Sequence, residues 1–141
     1  MPKGFILIAL LSVVPSVAAQ EPDWGALDRA KETALQCASP DSFSALFFLA
    51  DSDGFTGADS QEALSEANED AFLRCPIEFL QGFKHQSPKV RAKIIKFYFG
   101  VRHEPWELGA VLNRLQQHPE LGEMIRTEFG GYLRAKAPFE K

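Results

Sequence analysis

Apolar positions recur along the chain at spacings of three and four, and prolines and glycines cut that pattern into short segments. Asp23 stands as a helix cap before Trp24–Cys37, in which Trp24, Leu27, Ala34 and Cys37 face inward. Ser39-Pro40 opens a second helix to about Ala50, and Phe43, Leu46, Phe47, Phe48 and Leu49 make it apolar on more than one side. A third begins near Asp59 or Ser60 and runs through Leu64, Ala67, Ala71 and Phe72. Its first half is acidic and weakly apolar, which predicts an exposed outer helix. Pro76 forces a kink or a restart before Ile77, Phe79, Leu80 and Phe83, because proline lacks an N–H and crowds the preceding turn.

The segment Ser87–Arg102 carries the strongest pattern. Ser-Pro starts it and Gly100 stops it. Val90, Ile94 and Phe97 share one face, Ile95, Tyr98 and Phe99 widen it, and Lys89, Lys93 and Lys96 line the remainder. An arc this wide predicts the central helix of a bundle. Glu104-Pro105 then starts a helix with Leu108, Val111, Leu112 and Leu115 on one face. His118-Pro119 starts another with Leu121, Met124, Ile125 and Phe129, ending around Gly130-Gly131, with a loose tail from Ala135. No segment alternates with the period of a strand. The class predicted is all-α, a compact bundle of five to six short helices, with stacked helical hairpins as one arrangement.

Residues 1–19 read as a cleaved signal peptide. Lys3 supplies the positive start, Phe5–Val14 the apolar stretch, and Val17-Ala18-Ala19 the small residues before a cut ahead of Gln20. That stretch is too short to span a bilayer, and no later one is long enough. Residues 20–141 then form a single exported helical domain, with the periplasm the first expectation and secretion the second. Gln20, rather than a cysteine, stands immediately after the cut, which argues against a lipid anchor. Cys37 and Cys75 are two cysteines in an oxidising compartment without a CxxC pair, which predicts a structural disulfide rather than free or catalytic thiols. On the chain-entropy account such a bridge stabilises by roughly 4 kcal/mol.

Charge is divided unevenly. Residues 20–83 carry 13 acids and 3 bases, a net of −10, and residues 84–141 carry 11 bases and 6 acids, a net of +5. The acids concentrate between Asp51 and Asp70, the bases between Lys84 and Arg102. A net acidic exported chain does not suit nucleic acid as a partner. The two blocks either pair within the fold, stay solvated, or steer a charged protein partner.

Two stretches resemble known families. Ser87-Pro88-Lys89-Val90-Arg91, followed by an apolar helix to Gly100, resembles the second helix of a HEAT-type repeat, and the likeness extends over about one repeat, residues 87–129. It implies helical hairpins stacked side by side and a protein-binding surface. Asp51–Glu62 resembles an EF-hand loop in its twelve-residue length, with Asp51, Asp53, Asp59 and Glu62 at the acidic positions. Phe55 stands where that family has an oxygen ligand, Thr56 replaces the turn glycine, and Ala58 replaces a β-branched residue. The loop reads either as a weak calcium site built on those four carboxylates or as an acidic, glycine-containing connector.

The remaining chemistry is sparse. His85, His103 and His118 each precede a proline at a turn, and none is spaced as a zinc ligand. Glu78, Glu107 and Glu128 are carboxylates near apolar positions. Any of them suits Arg91 as a structural ion-pair partner better than it suits acid–base catalysis. Trp106 and Tyr132 read as packed aromatics or, if exposed, as interface residues. The leading expectation is a non-enzymatic exported protein that binds a protein partner, with no cofactor, and an immunity- or inhibitor-type protein is its concrete form. Its contact surface would be the face of Lys89, Lys93 and Lys96, or the acidic helix 59–70, with Trp106 nearby. A calcium-binding module and a small envelope hydrolase using carboxylates are the alternatives.

Overall fold

The computed structural model describes residues 21–139, and Gly4. The leader read from residues 1–19 lies, Gly4 apart, outside the described residues. Among those described, the chain is helical throughout: α1 (Trp24–Ala34), a 3-10 turn (Pro40–Phe43), α2 (Ser44–Asp51), α3 (Ala58–Arg74), α4 (Pro76–Lys84), α5 (Pro88–Phe97), α6 (Pro105–Leu115), α7 (Gly122–Glu128) and α8 (Gly130–Leu133). The all-α class holds, in more and shorter pieces than five to six. Local chemistry sets the starts: Asp23 Oδ1 accepts from the Ala26 N–H at 2.9 Å, and Ser87 Oγ accepts from the Val90 N–H at 3.2 Å. Proline occupies the first position of α4, α5 and α6, where a missing N–H costs nothing.

The centre of the fold is α3, which touches α1, α2, α4 and α6. This corrects the expectation of an exposed outer helix there. The acids Asp59, Glu62, Glu66 and Asp70 fall three or four apart and share one stripe. The rest of the helix buries Ser60, Leu64, Ser65, Ala67, Asn68, Glu69, Ala71 and Phe72, and its small residues let neighbours approach closely. Beside it stands an aromatic cluster around Phe79, whose ring centroid lies 5.5 Å from Phe43, 5.2 Å from Phe47 and 5.6 Å from Phe72. Phe99 extends the cluster to Phe129 and Tyr132 at 5.6 and 5.4 Å. Two glycines permit the tight contacts: a Cβ on Gly82 would strike the Pro40 carbonyl, and one on Gly109 would strike the Tyr132 carbonyl.

α5 is not the central helix that its wide apolar arc predicts. It buries Ile94 alone within its length and leaves Phe97 39% exposed. The helix stops at Phe97, and Tyr98 and Phe99 enter the core from the turn that follows. Gly100, at φ +79°, takes that turn through a left-handed conformation that suits glycine. Other inward assignments shift too: Trp24 is 46% exposed and Phe48 73% exposed, while Ala137, in the tail expected to be loose, is buried. Cys37 and Cys75 stand at disulfide distance, their Cα atoms 5.7 Å apart, linking the turn after α1 to the α3–α4 junction.

Polar groups of α3 hold the turn after α5. The fully buried Glu69 carboxylate accepts from the Ser65 hydroxyl at 2.6 Å and from the backbone N–H groups of Arg102 and His103 at 3.2 and 2.6 Å. Asn68 Nδ2 donates to the Tyr98 carbonyl at 3.1 Å, and the Tyr132 hydroxyl donates to the Phe99 carbonyl at 3.0 Å. Replacing Glu69 with Ala strands the buried Ser65 hydroxyl and two part-buried backbone N–H groups, so chemical denaturation is expected to show a loss of about 3 kcal/mol. A change within experimental error would show that the turn holds itself.

Burial, aided by the negative charge of Glu69, pushes the Tyr132 phenol up to about 12 from 10.0. An unfolded tyrosine ionises near pH 10, while this one keeps its proton until about pH 12. The stability it contributes is therefore complete below pH 10 and is lost as pH rises through about 12. Tyr132→Phe is expected to flatten that alkaline decline in denaturation midpoints. Tyr98, raised by burial and then by Asp53, supplies what remains of it.

Candidate functional site

The two charged blocks meet inside the molecule. Arg102 reaches Glu62 at 3.1 Å and Glu66 at 3.4 Å. His103 places Nδ1 3.2 Å from Glu69 and Nε2 3.6 Å from Asp70, which also receives Lys31 at 3.6 Å. Arg91 selects Glu128 from its three possible partners, bonding Oε1 through Nε at 2.8 Å and the Gln86 carbonyl through Nη1 at 2.6 Å. Glu107 instead accepts from the Glu104 N–H at the start of α6. His85 is exposed, and His118 Nδ1 accepts from the Glu120 N–H.

The calcium-loop residues are dispersed. Asp51 ends α2, Asp53 stands in the loop with its carboxylate 93% exposed, and Asp59 and Glu62 lie in the first turns of α3. Glu62 is engaged by Arg102. No group of three or more His, Cys, Asp and Glu side chains among the described residues is arranged to hold a metal ion. Phe55 is buried, with the Trp24 ring edge-on at 6.0 Å, and its carbonyl accepts from the Tyr98 hydroxyl at 2.8 Å. The loop already contains a cation of its own chain. Lys93 Nζ donates to the carbonyls of Asp51 and Ser52 at 3.0 and 3.5 Å, and lies 4.0 Å from the Asp53 carboxylate.

The lysine row therefore divides. Lys93 turns into the 51–53 loop, whereas Lys89 and Lys96 remain exposed. Lys96 Nζ rests 5.1 Å from the centroid of the Phe97 ring. Trp106, placed on the same contact surface by the sequence, is half-buried on α6.

Sequence reasoning missed Phe48. It lies on the side of α2 shared with exposed Ser44 and Ala45, opposite Phe43, Phe47 and Ala50. That spacing carries the signal, hidden by the density of phenylalanine around it. Phe48 borders a groove of about 610 Å³ between α1 and α2, floored by Ala26, Ala30, Ala45 and Leu49, with Arg29 the one charged residue in its lining. A second depression of about 610 Å³ is polar, with Lys84 and Arg91 from α4 and α5 facing Glu120, Glu123 and Glu128 around α7.

Comparison with known proteins returns no match: no family model, curated protein or solved structure resembles the chain at a significant level. No helix among the described residues is long and apolar enough to cross a membrane.

Lys93 is expected to order the loop from Asp51 to Gly57. Lys93→Met keeps the aliphatic stem and removes the charged donor. Hydrogen exchange of the loop amides should then accelerate about tenfold while core amides are unchanged. Unchanged loop exchange would show that Phe55 and Tyr98 suffice.

Proposed function

We propose that this is a non-enzymatic, exported helical protein that binds another protein, and that the groove between α1 and α2 receives an apolar segment of that partner. The exposed ring of Phe48 carries the reading. Burying a phenylalanine side chain is worth about 2 kcal/mol, and this chain leaves Phe48 73% exposed beside a groove floored by alanine and leucine. A partner's apolar side chains would cover both. Aromatic anchors in shallow pockets contribute disproportionately to binding. Export is supported by the leader pattern of residues 1–19 and by the Cys37–Cys75 pair, which an oxidising compartment preserves. An inhibitor or immunity-type protein, held rigid by its disulfide until it meets its target, is the concrete form of this activity.

Phe48→Asp alters an exposed position, so thermal stability is expected to stay within about 0.5 kcal/mol of the parent. Parallel pull-downs from envelope extract should recover one protein with the parent chain and at least about tenfold less of it with the variant. Equal recovery by both, or no recovery by either, would remove the groove as the binding site.

A further inference from the structure

Within the basic run Lys84–Arg102, most cations are satisfied by this chain. Lys84 donates to the Glu120 carbonyl, Arg91 pairs with Glu128, Lys93 holds the 51–53 loop, and Arg102 spans Glu62 and Glu66. Lys89 and Lys96 are the two cations of the run without an oxygen partner among the described residues. They lie seven residues apart on α5, two helical turns along one exposed side. Phe97 adjoins Lys96 at the end of the helix, 39% exposed, its ring face attracting the Lys96 ammonium. Two unneutralised cations beside an open aromatic ring stand out on a chain with a net charge of −4.

We infer that Lys89, Lys96 and Phe97 form a contact for a carboxylate-rich protein surface, which gives the partner of the proposed function its chemistry. This rests on the protein-binding reading but uses residues separate from the Phe48 groove. Charge complementarity supplies the argument: carboxylates approaching Lys89 and Lys96 meet cations that no acid among the described residues neutralises, and Phe97 offers an apolar seat beside Lys96. An anionic bilayer fits less well. Membrane attraction accumulates over several cations, and here the exposed Asp53 carboxylate stands within 4.0 Å of Lys93 on the same helix, where a flat anionic surface would meet it.

The test uses the exported chain, residues 20–141, with immobilised poly-L-glutamate as the probe. Phosphatidylglycerol vesicles and poly-L-lysine form the other arms. The parent should be retained on polyglutamate at low ionic strength and released as salt screens the contact. Lys89→Glu with Lys96→Glu should lower apparent affinity about tenfold, as expected for reversing two exposed charges. Phe97→Ala should lower it less, and Phe48→Asp should leave it unchanged. All these positions are exposed, and circular dichroism verifies that each variant folds. Absence of parental retention, equal retention of the double charge reversal, or preferential binding to vesicles would each overturn the inference. Because Phe48→Asp separates the two surfaces, such a failure leaves the groove to be judged on its own pull-down.

Discussion

A single buried carboxylate determines how the second half of the chain joins the first. Glu69 is fully buried in the middle of α3, where an unpaired carboxylate would cost several kcal/mol. It is tolerated because Ser65 and the backbone of Arg102 and His103 converge on it. The constraint works in both directions. The turn after α5 must leave the helix at Phe97, pass through Gly100 in a left-handed conformation and present two consecutive N–H groups to α3. That path delivers Tyr98 and Phe99 to the core, and Asn68 fastens the Tyr98 carbonyl from the same helix. α5 can then remain peripheral, because the chain following it, rather than its own face, carries the largest apolar groups inward.

The same geometry explains the opposed charge of the two halves. The α3 stripe of Asp59, Glu62, Glu66 and Asp70 runs beside the Glu69 anchor, so Arg102 and His103 arrive next to it as soon as the turn is made. Exposed ion pairs of this kind contribute little each. Their value here is registry: they surround a buried attachment whose backbone donors come from the same two residues. Lys93 performs a related task on the 51–53 loop, satisfying carbonyls that the turn leaves without backbone partners. Charge that looked available for a partner is thus largely used in assembling the fold.

Much of this was legible in the sequence. Helix starts at Pro76, Ser87-Pro88 and Glu104-Pro105 follow from proline chemistry and capping, whereas Ser39-Pro40 opens only a 3-10 turn before α2 begins at Ser44, and the cysteine pair follows from the even number of cysteines. The identity of the central helix was not, because average polarity misled: α3 looks acidic overall, yet its acids repeat at three and four residues along one side, and Glu69, three residues after Glu66, falls at the edge of that side. Spacing does not mark Glu69 as the buried acid, because the backbone donors that satisfy it come from a turn some thirty residues later. In α5 the error was to continue a helical arc through Tyr98 and Phe99, where the chain had already turned. Phe48 was hidden for the reverse reason, an exposed ring amid buried ones of the same type. Lys93 shared its helical row with Lys89 and Lys96, and only tertiary packing separated a structural cation from two free ones.

α2 connects the two candidate surfaces. It packs against α1 on one side, forming the groove beside Phe48, and against α5 on another. Its inner face is fixed by Phe43 and Phe47 in the aromatic cluster around Phe79, so Phe48 is presented from a helix with little freedom to rotate. α5 is held to the same neighbourhood by Lys93 at the end of α2 and by the Glu69-anchored turn. A partner that placed an apolar segment in the groove and acidic residues along α5 would therefore meet two preorganised contacts separated by one helix. Little ordering would be needed at the moment of binding. The apolar contact would supply most of the affinity, and the charged one would govern approach and discrimination, since exposed charges act more on encounter than on residence. Binding of this form would keep its specificity sensitive to salt while its dissociation remained governed by Phe48.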